Sequence, residues 1–186
     1  MHFVAQGERV GIRHITMGDI PLLAKWWNDG EIMAPMGFRH GMGATEFQLQ
    51  QRFSAEINDT DPFRISRRYI IVDRQATNKP IGELAYGELD LEHHTCRIAI
   101  KIGEKAYQGK GYGYESLSVF IEYLFEHFSL RKIEIDTLAD NLPAYYLYKK
   151  LGFIETRVEK NYWTDPDGVA HDLIFMEMTS EQRKQK

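Results

Sequence analysis

The topology turns on residues 98–128, IAIKIGEKAYQGKGYGYESLSVFIEYLFEHF. The stretch enters on alternation. Cys96, Ile98, Ile100 and Ile102 recur at every second position of His94–Ile102, so these four side chains share one face of a strand. It leaves on a stripe. Leu117, Phe120, Ile121, Leu124, Phe125 and Phe128 follow i, i+3, i+4, i+7, i+8 and i+11, the signature of an amphipathic helix. Between them lies QGKGYG, Gln108–Gly113. Glycines allow a tight turn and close approach of backbone to a ligand, with no Cβ in the way. A helix opening there points free N–H groups and partial positive charge outward, toward phosphate oxygens. Lys110 adds a cation, although a solvated surface charge is the plain alternative. No GxxxxGK[ST] is present, and Gly109, Gly111 and Gly113 are spaced GxGxG, not GxGxxG. Two readings remain: a tight turn, or a pyrophosphate cradle of another kind.

Downstream, Lys132–Leu138 reads as a strand. Asn141 is a good N-cap with Pro143 just inside the helix, and Ala144, Leu147, Tyr148 and Leu151 continue it at 3.6 spacing to Gly152. Phe153–Glu159 and His171–Thr179 are the closing strands, joined by a loop expected to hold Trp163, Pro166 and Gly168. Upstream, Arg9–Ile15 is a strand. Thr16 and Pro21 then start a helix carrying Ile20, Leu22, Leu23, Trp26 and Trp27. Of the adjacent tryptophans, one is expected in the core and the other against an acceptor cleft. Gly30 to Gly43 reads as a loop. Thr45 opens a second helix, with Gln48 completing a capping box. Arg68–Arg74 and Pro80–Leu89 form a strand pair across the turn 75–79. A helix pair beside an antiparallel meander is thus followed by strand–loop–helix–strand–helix–strand, a mixed α/β fold.

With 186 residues, 43% hydrophobic and 27% charged, the chain suits one globular domain over 1–186, with an ordered core from about residue 8 to about residue 180. A net charge of −4 argues against a nucleic-acid partner. No run approaches a membrane span and the N-terminus lacks a signal-peptide core, so a soluble cytoplasmic protein with no membrane partner is expected. The single cysteine, Cys96, excludes an intrachain disulfide and a cysteine-based zinc cluster, and it falls on an apolar strand face where an inert thiol is expected. His93 and His94 sit together on a turn with no further ligands near, so no metal site is expected. The absence of Gly-x-Ser-x-Gly removes the usual acyl-enzyme hydrolase.

Gln108–Gly113 satisfies [QR]xxGx[GA], and Asn141, Ala144, Tyr148 and Leu151-Gly152-Phe153 follow at the corresponding distance. In these two segments the chain resembles the GNAT N-acetyltransferases. Gly11–Trp27 is similar to the opening strand and helix of the ribosomal-protein-alanine and spermidine acetyltransferase branch. The resemblance implies a GNAT fold: a mixed, largely antiparallel sheet flanked by helices and splayed where acetyl-CoA enters. It implies that backbone N–H groups of Gln108, Gly109, Lys110, Gly111, Tyr112 and Gly113 hold the cofactor pyrophosphate. It also implies that Lys101, Ile102 and Gly103 pair with the pantetheine arm, that Asn141 contacts the cofactor, and that Tyr148 lies near the thioester sulfur. As an N-cap Asn141 needs no second role, and as part of an apolar stripe neither does Tyr148. Gly103-Glu104-Lys105 departs from the family's usual proline-containing ending of that strand.

The implied reaction is direct attack of a neutral primary amine on the thioester, which requires loss of an ammonium proton. Glu88 is the leading general base, because its segment matches a strand bordering the acceptor site in relatives. Glu83, Asp136, His93 and His94 are the alternatives. The acceptor is expected to be a small-molecule or peptide amine: a protein N-terminus, a polyamine, or an amino sugar or aminoglycoside. An acyl-CoA sensor or interaction module without chemistry is the competing class, and a homodimer is compatible with either. Arg64, Arg67 and Arg68 read as a charged strand edge rather than a nucleotide-binding patch.

Overall fold

The computed structural model describes residues 2–184. Its strands are β1 (Ala5–Gln6), β2 (Val10–His14), β3 (Arg67–Asp73), β4 (Lys79–Asp90), β5 (Thr95–Ile102), β6 (Lys132–Leu138), β7 (Ile154–Thr164) and β8 (Ala170–Thr179). Its helices are α1 (Ile20–Asn28), α2 (Gly30–Met33), α3 (Glu46–Asn58), α4 (Tyr112–His127), α5 (Leu142–Leu151) and α6 (Ser180–Lys184). The eight strands form one sheet in the order β1-β2-β3-β4-β5-β6-β8-β7. Every neighbouring pair is antiparallel except β5 and β6.

Local chemistry explains the helix starts. Thr45 Oγ1 accepts from the Gln48 N–H, and the Gln48 side chain accepts in return from Thr45, a reciprocal capping box ahead of α3. Asp19 closes the equivalent box with Thr16 before α1 and is gripped by both terminal nitrogens of Arg13 at 2.6 and 2.7 Å. Asn141 caps α5, and Gly152 ends it at φ 103°, a left-handed conformation that a side chain would strain.

The helices bury their stripes on opposite faces of the sheet. Leu117, Phe120, Ile121 and Leu124 of α4 and Tyr148 and Leu151 of α5 join Tyr86, Ile98, Ile133 and Met176 in the larger core. Leu23, Trp26 and Trp27 of α1 and Leu49 and Phe53 of α3 pack with Ile70 and Val72 in a second core on the other face. The tryptophan expectation is corrected here, because both are buried, Trp26 at 0% and Trp27 at 5% exposure. α1 packs against both the sheet and α3, so more than one side of it is covered. Three further differences are local. The loop 30–43 contains α2, capped by Asp29. β7 runs on to Thr164, which places Trp163 in a strand rather than a loop. Arg67 and Arg68 lie past the end of the β2–β3 register, which stops at Tyr69, and there Glu56 of α3 accepts from the Arg68 N–H.

Candidate active site

β5 and β6 are hydrogen-bonded neighbours only through Thr95↔Lys132, Cys96↔Ile133 and Arg97↔Glu134. Beyond Arg97 the two strands part, leaving a wedge open toward the C-terminal ends of both. Such ends are where open α/β sheets bind ligands. On β5, Gly103 N donates to Ile81 O at 2.9 Å, and the Lys101 carbonyl faces β4 so closely that a Cβ on Gly82 would lie 2.4 Å from it. Strand alternation therefore turns the backbone groups of Lys101 and Gly103 toward β4 and those of Ile100 and Ile102 toward the wedge. Of Lys101, Ile102 and Gly103, expected to pair with a pantetheine arm, only Ile102 turns its backbone to the wedge, and Ile100, which the sequence reading did not name, does the same. Counting alternation back from the strand end could have found it. Gln108 braces the turn, its Nε2 donating to Ile102 O at 2.9 Å.

Gly109 and Gly111 take φ values of 69° and 85°, left-handed conformations that explain their being glycine. Gly111 is the N-cap of α4 and offers no side-chain acceptor to the first turn. Among the described residues, no N–H from Gly109 through Tyr114 finds a protein acceptor. A run of unpaired donors on a sixteen-residue helix's positive end fits a pyrophosphate. Gly113 lies inside the turn, where a Cβ would stand 3.5 Å from Leu147 of α5 and 3.8 Å from Ile102. Tyr112 carries the Arg9 guanidinium over its ring at 4.5 Å.

Tyr148 is 5% exposed, with its ring 6.1 Å from that of Phe153. Its hydroxyl donates to no group among the described residues. Burial, aided by the negative charge of Asp136, pushes it well above the usual phenol range, so it stays protonated and available as a donor. Asp136 of β6 shares Arg97 with Glu88 and Glu134, at 3.0, 3.4 and 3.6 Å. Burial raises the Asp136 carboxyl, Arg97 opposes this, and Glu88 adds to the rise. Glu88 sits in a bulge of β4, at φ 52°, between the paired residues Gly87 and Asp90. Bulges of this kind re-aim side chains. This one brings Glu88 beside Arg97.

The wedge is walled on one side by residues 33–38, the last residue of α2 and the segment after it. Lys101 Nζ donates to Met33 Sδ at 3.2 Å, Asn141 Nδ2 to Pro35 O at 3.2 Å, and Trp163 fills the space beside Gly37. Asn141 Oδ1 accepts from Ala144 N at 3.4 Å. Its amide thus ties α5 to this wall.

Glu83 is no base. It is 3% exposed and accepts from Trp27 Nε1 and Lys101 Nζ, each at 2.7 Å, and from Arg68. Burial works to raise its carboxyl, but Arg68 and Lys101 outweigh that and hold it down at about 2. His93 accompanies Asp90 on the β4–β5 turn, with His94 beside it, both at the end of β5 opposite the glycine loop. Cys96 is buried, and burial pushes its thiol up to about 12. Among the described residues no cluster of ligands suits a metal, and no helix is long and apolar enough to cross a membrane. A cavity of about 430 Å³ lies elsewhere, between the ends of α3 and α4, with His14, Arg67, Tyr69 and His127 in its wall.

A family model described as acetyltransferase (GNAT) domain matches residues 9–154, and the chain belongs to that family. It is an N-acetyltransferase that uses acetyl-CoA. Among its relatives, an uncharacterized N-acetyltransferase p20 of Bacillus licheniformis is 24% identical over 83% of this chain and 84% of its own. The spermidine N(1)-acetyltransferase of Vibrio cholerae is 25% identical over 80% of each. A crystal structure of spermidine N-acetyltransferase from Vibrio cholerae with CoA and spermine shares the fold at a TM-score of 0.84 and 21% identity, covering 96% of this chain and 99% of that one.

Proposed function

We propose that the chain acetylates a primary amine on a small polycationic acceptor of the polyamine kind, by direct attack on bound acetyl-CoA. The observation that carries this reading is the gathering of Glu88, Glu134 and Asp136 around Arg97, beside the point where β5 and β6 part, with Glu134 also paired to Lys132 at 2.6 Å. With Glu177 on Lys132 included, four carboxylates face two cations, Arg97 and Lys132, which leaves net negative charge where the acceptor must approach and favours a cation. The spermidine acetyltransferases among the relatives support the same class.

In this reading the N–H groups of Gly109–Gly113 hold the pyrophosphate, with Lys110 as an added cation, and the outward edge of Ile100 and Ile102 aligns the pantetheine arm. Acetyl-CoA supplies the activated acetyl group. Glu88, at the wedge and open to water, takes the ammonium proton directly or through one water, so that a neutral amine attacks. Tyr148 donates a hydrogen bond to the leaving sulfur as charge builds on it.

The test is CoA release from acetyl-CoA with spermidine, an alanine-leading peptide and an aminoglycoside. Spermidine is expected to lead by at least about tenfold in kcat/KM, about 1.4 kcal/mol of discrimination, with rates rising with pH as the amine loses its proton. A peptide in first place would move the acceptor to protein N-termini. Equal background rates for all three would return the chain to an acyl-CoA-binding module.

A further inference from the structure

Arg9 precedes β2 and meets the glycine turn across 101 residues of sequence. Glu115, in the first turn of α4, makes the meeting rigid. Its Oε1 accepts from Arg9 N at 2.7 Å and Val10 N at 3.3 Å, and its Oε2 accepts from Arg9 Nε at 2.8 Å. The guanidinium so fixed lies over Tyr112. Its Nη1 donates to Lys110 O at 3.1 Å, and its Nη2 stands 3.2 Å from where a Cβ on Gly111 would be.

In a trans peptide the C=O and the following N–H point in opposite directions. Drawing the Lys110 carbonyl onto Arg9 therefore aims the Gly111 N–H away from it. Nη2 is left without a protein acceptor at the turn, and the Arg9 side chain is about one-third exposed, at 32%. Glu115 neutralises Arg9 on the far side of the guanidinium, but the Nη2 edge still presents two N–H donors.

We infer that Arg9 is a positioning residue of the phosphate cradle, orienting the Lys110–Gly111 peptide and holding a fixed cationic edge beside the pyrophosphate of CoA. The inference rests on the cofactor site proposed above. The competing role is mechanical, a clamp between β2 and α4 that serves stability alone. The two separate by ligand, since a cradle acts only on phosphates.

Calorimetry on the full chain with CoA and with pantetheine, which lacks the phosphates, tests this. Arg9→Gln is expected to weaken CoA by about tenfold or more, the range for loss of a charge-assisted hydrogen bond, and to leave pantetheine within twofold. Arg9→Lys keeps the charge without the planar fork and is expected to fall between wild type and Arg9→Gln. Equal weakening of both ligands, or a CoA affinity within twofold of wild type in a variant with native circular dichroism, overturns the role. If Arg9→Gln does not fold, the CoA-to-pantetheine ratio of Arg9→Lys decides, and an unchanged ratio overturns it. Wild-type protein binding CoA no more tightly than pantetheine would instead remove the cradle itself, and Arg9's part with it.

Discussion

Lys101 Nζ stands 2.7 Å from Oε1 of Glu83, and both side chains are withdrawn from water, at 9% and 4% exposure. Arg68 meets the other carboxylate oxygen, and Trp27 closes the group from α1. The group joins β3, β4 and β5 to the helices on that face and, through Met33, to the wall of the wedge. A buried ion group of this kind is costly to break, because the surviving partners keep their charge without compensation.

Glu83→Gln is therefore expected to destabilise the fold by about 3–5 kcal/mol at neutral pH, measured by urea unfolding. The Glu83 carboxyl is depressed from 4.5 to about 2 in the folded chain. Its contribution is complete above the unfolded value and is lost as pH falls through the folded one. Wild-type stability should thus drop steeply between about pH 4.5 and 2, and the Glu83→Gln variant should show a shallower drop across the same window. Parallel profiles would remove Glu83 as a source of acid sensitivity.

Gly111→Val should impair the cradle. The residue sits at φ 85°, where a β-branched side chain is strained, and its Cβ would approach Arg9 Nη2 at 3.2 Å. Acetyl-CoA affinity should fall by at least about a hundredfold, roughly 2.7 kcal/mol. Calorimetry on a folded variant with wild-type affinity would contradict this.

Tyr148→Phe deletes one hydroxyl and leaves the ring packed beside Phe153. We expect kcat to fall by about 10²-fold, with acetyl-CoA affinity within a few-fold and melting temperature little changed. Single-turnover rates make the measurement, since they isolate chemistry from product release. A rate near wild type would leave Tyr148 as a core residue.

Glu88→Gln and Asp136→Asn separate two of the three carboxylates on Arg97. If Glu88 is the base, its amide variant should lose about 10²-fold in kcat/KM and flatten the rising limb of the pH profile. Asp136→Asn should change the rate by a few-fold, because Arg97 keeps Glu88 and Glu134. The opposite ranking would transfer the role to Asp136.

Local pattern accounts for most of the elements. Alternation over His94–Ile102, the stripe from Leu117 to Phe128, the Thr45–Gln48 box and the Asn141 cap each reflect geometry within one strand or helical turn. They emerge with boundaries shifted by a residue or two. QGKGYG and the Asn141–Phe153 segment were legible for the same reason, since Gly109, Gly111 and Gly152 take left-handed conformations that favour glycine. Other features have no local signature. The parting of β5 from β6 depends on two strands some 35 residues apart ceasing to pair after Arg97. The bulge at Glu88 and the burial of both Trp26 and Trp27 depend on what lies across the sheet or above the helix. Glu83, read as one possible base, became an ion-paired core residue because Lys101 and Arg68 arrive from neighbouring strands. Arg9, silent in the sequence, reaches the glycine turn only because β2 lies beneath the start of α4. A side chain's charge state and reach are set by what folding brings alongside it, and a period of 2 or 3.6 residues carries no record of neighbours a hundred positions away.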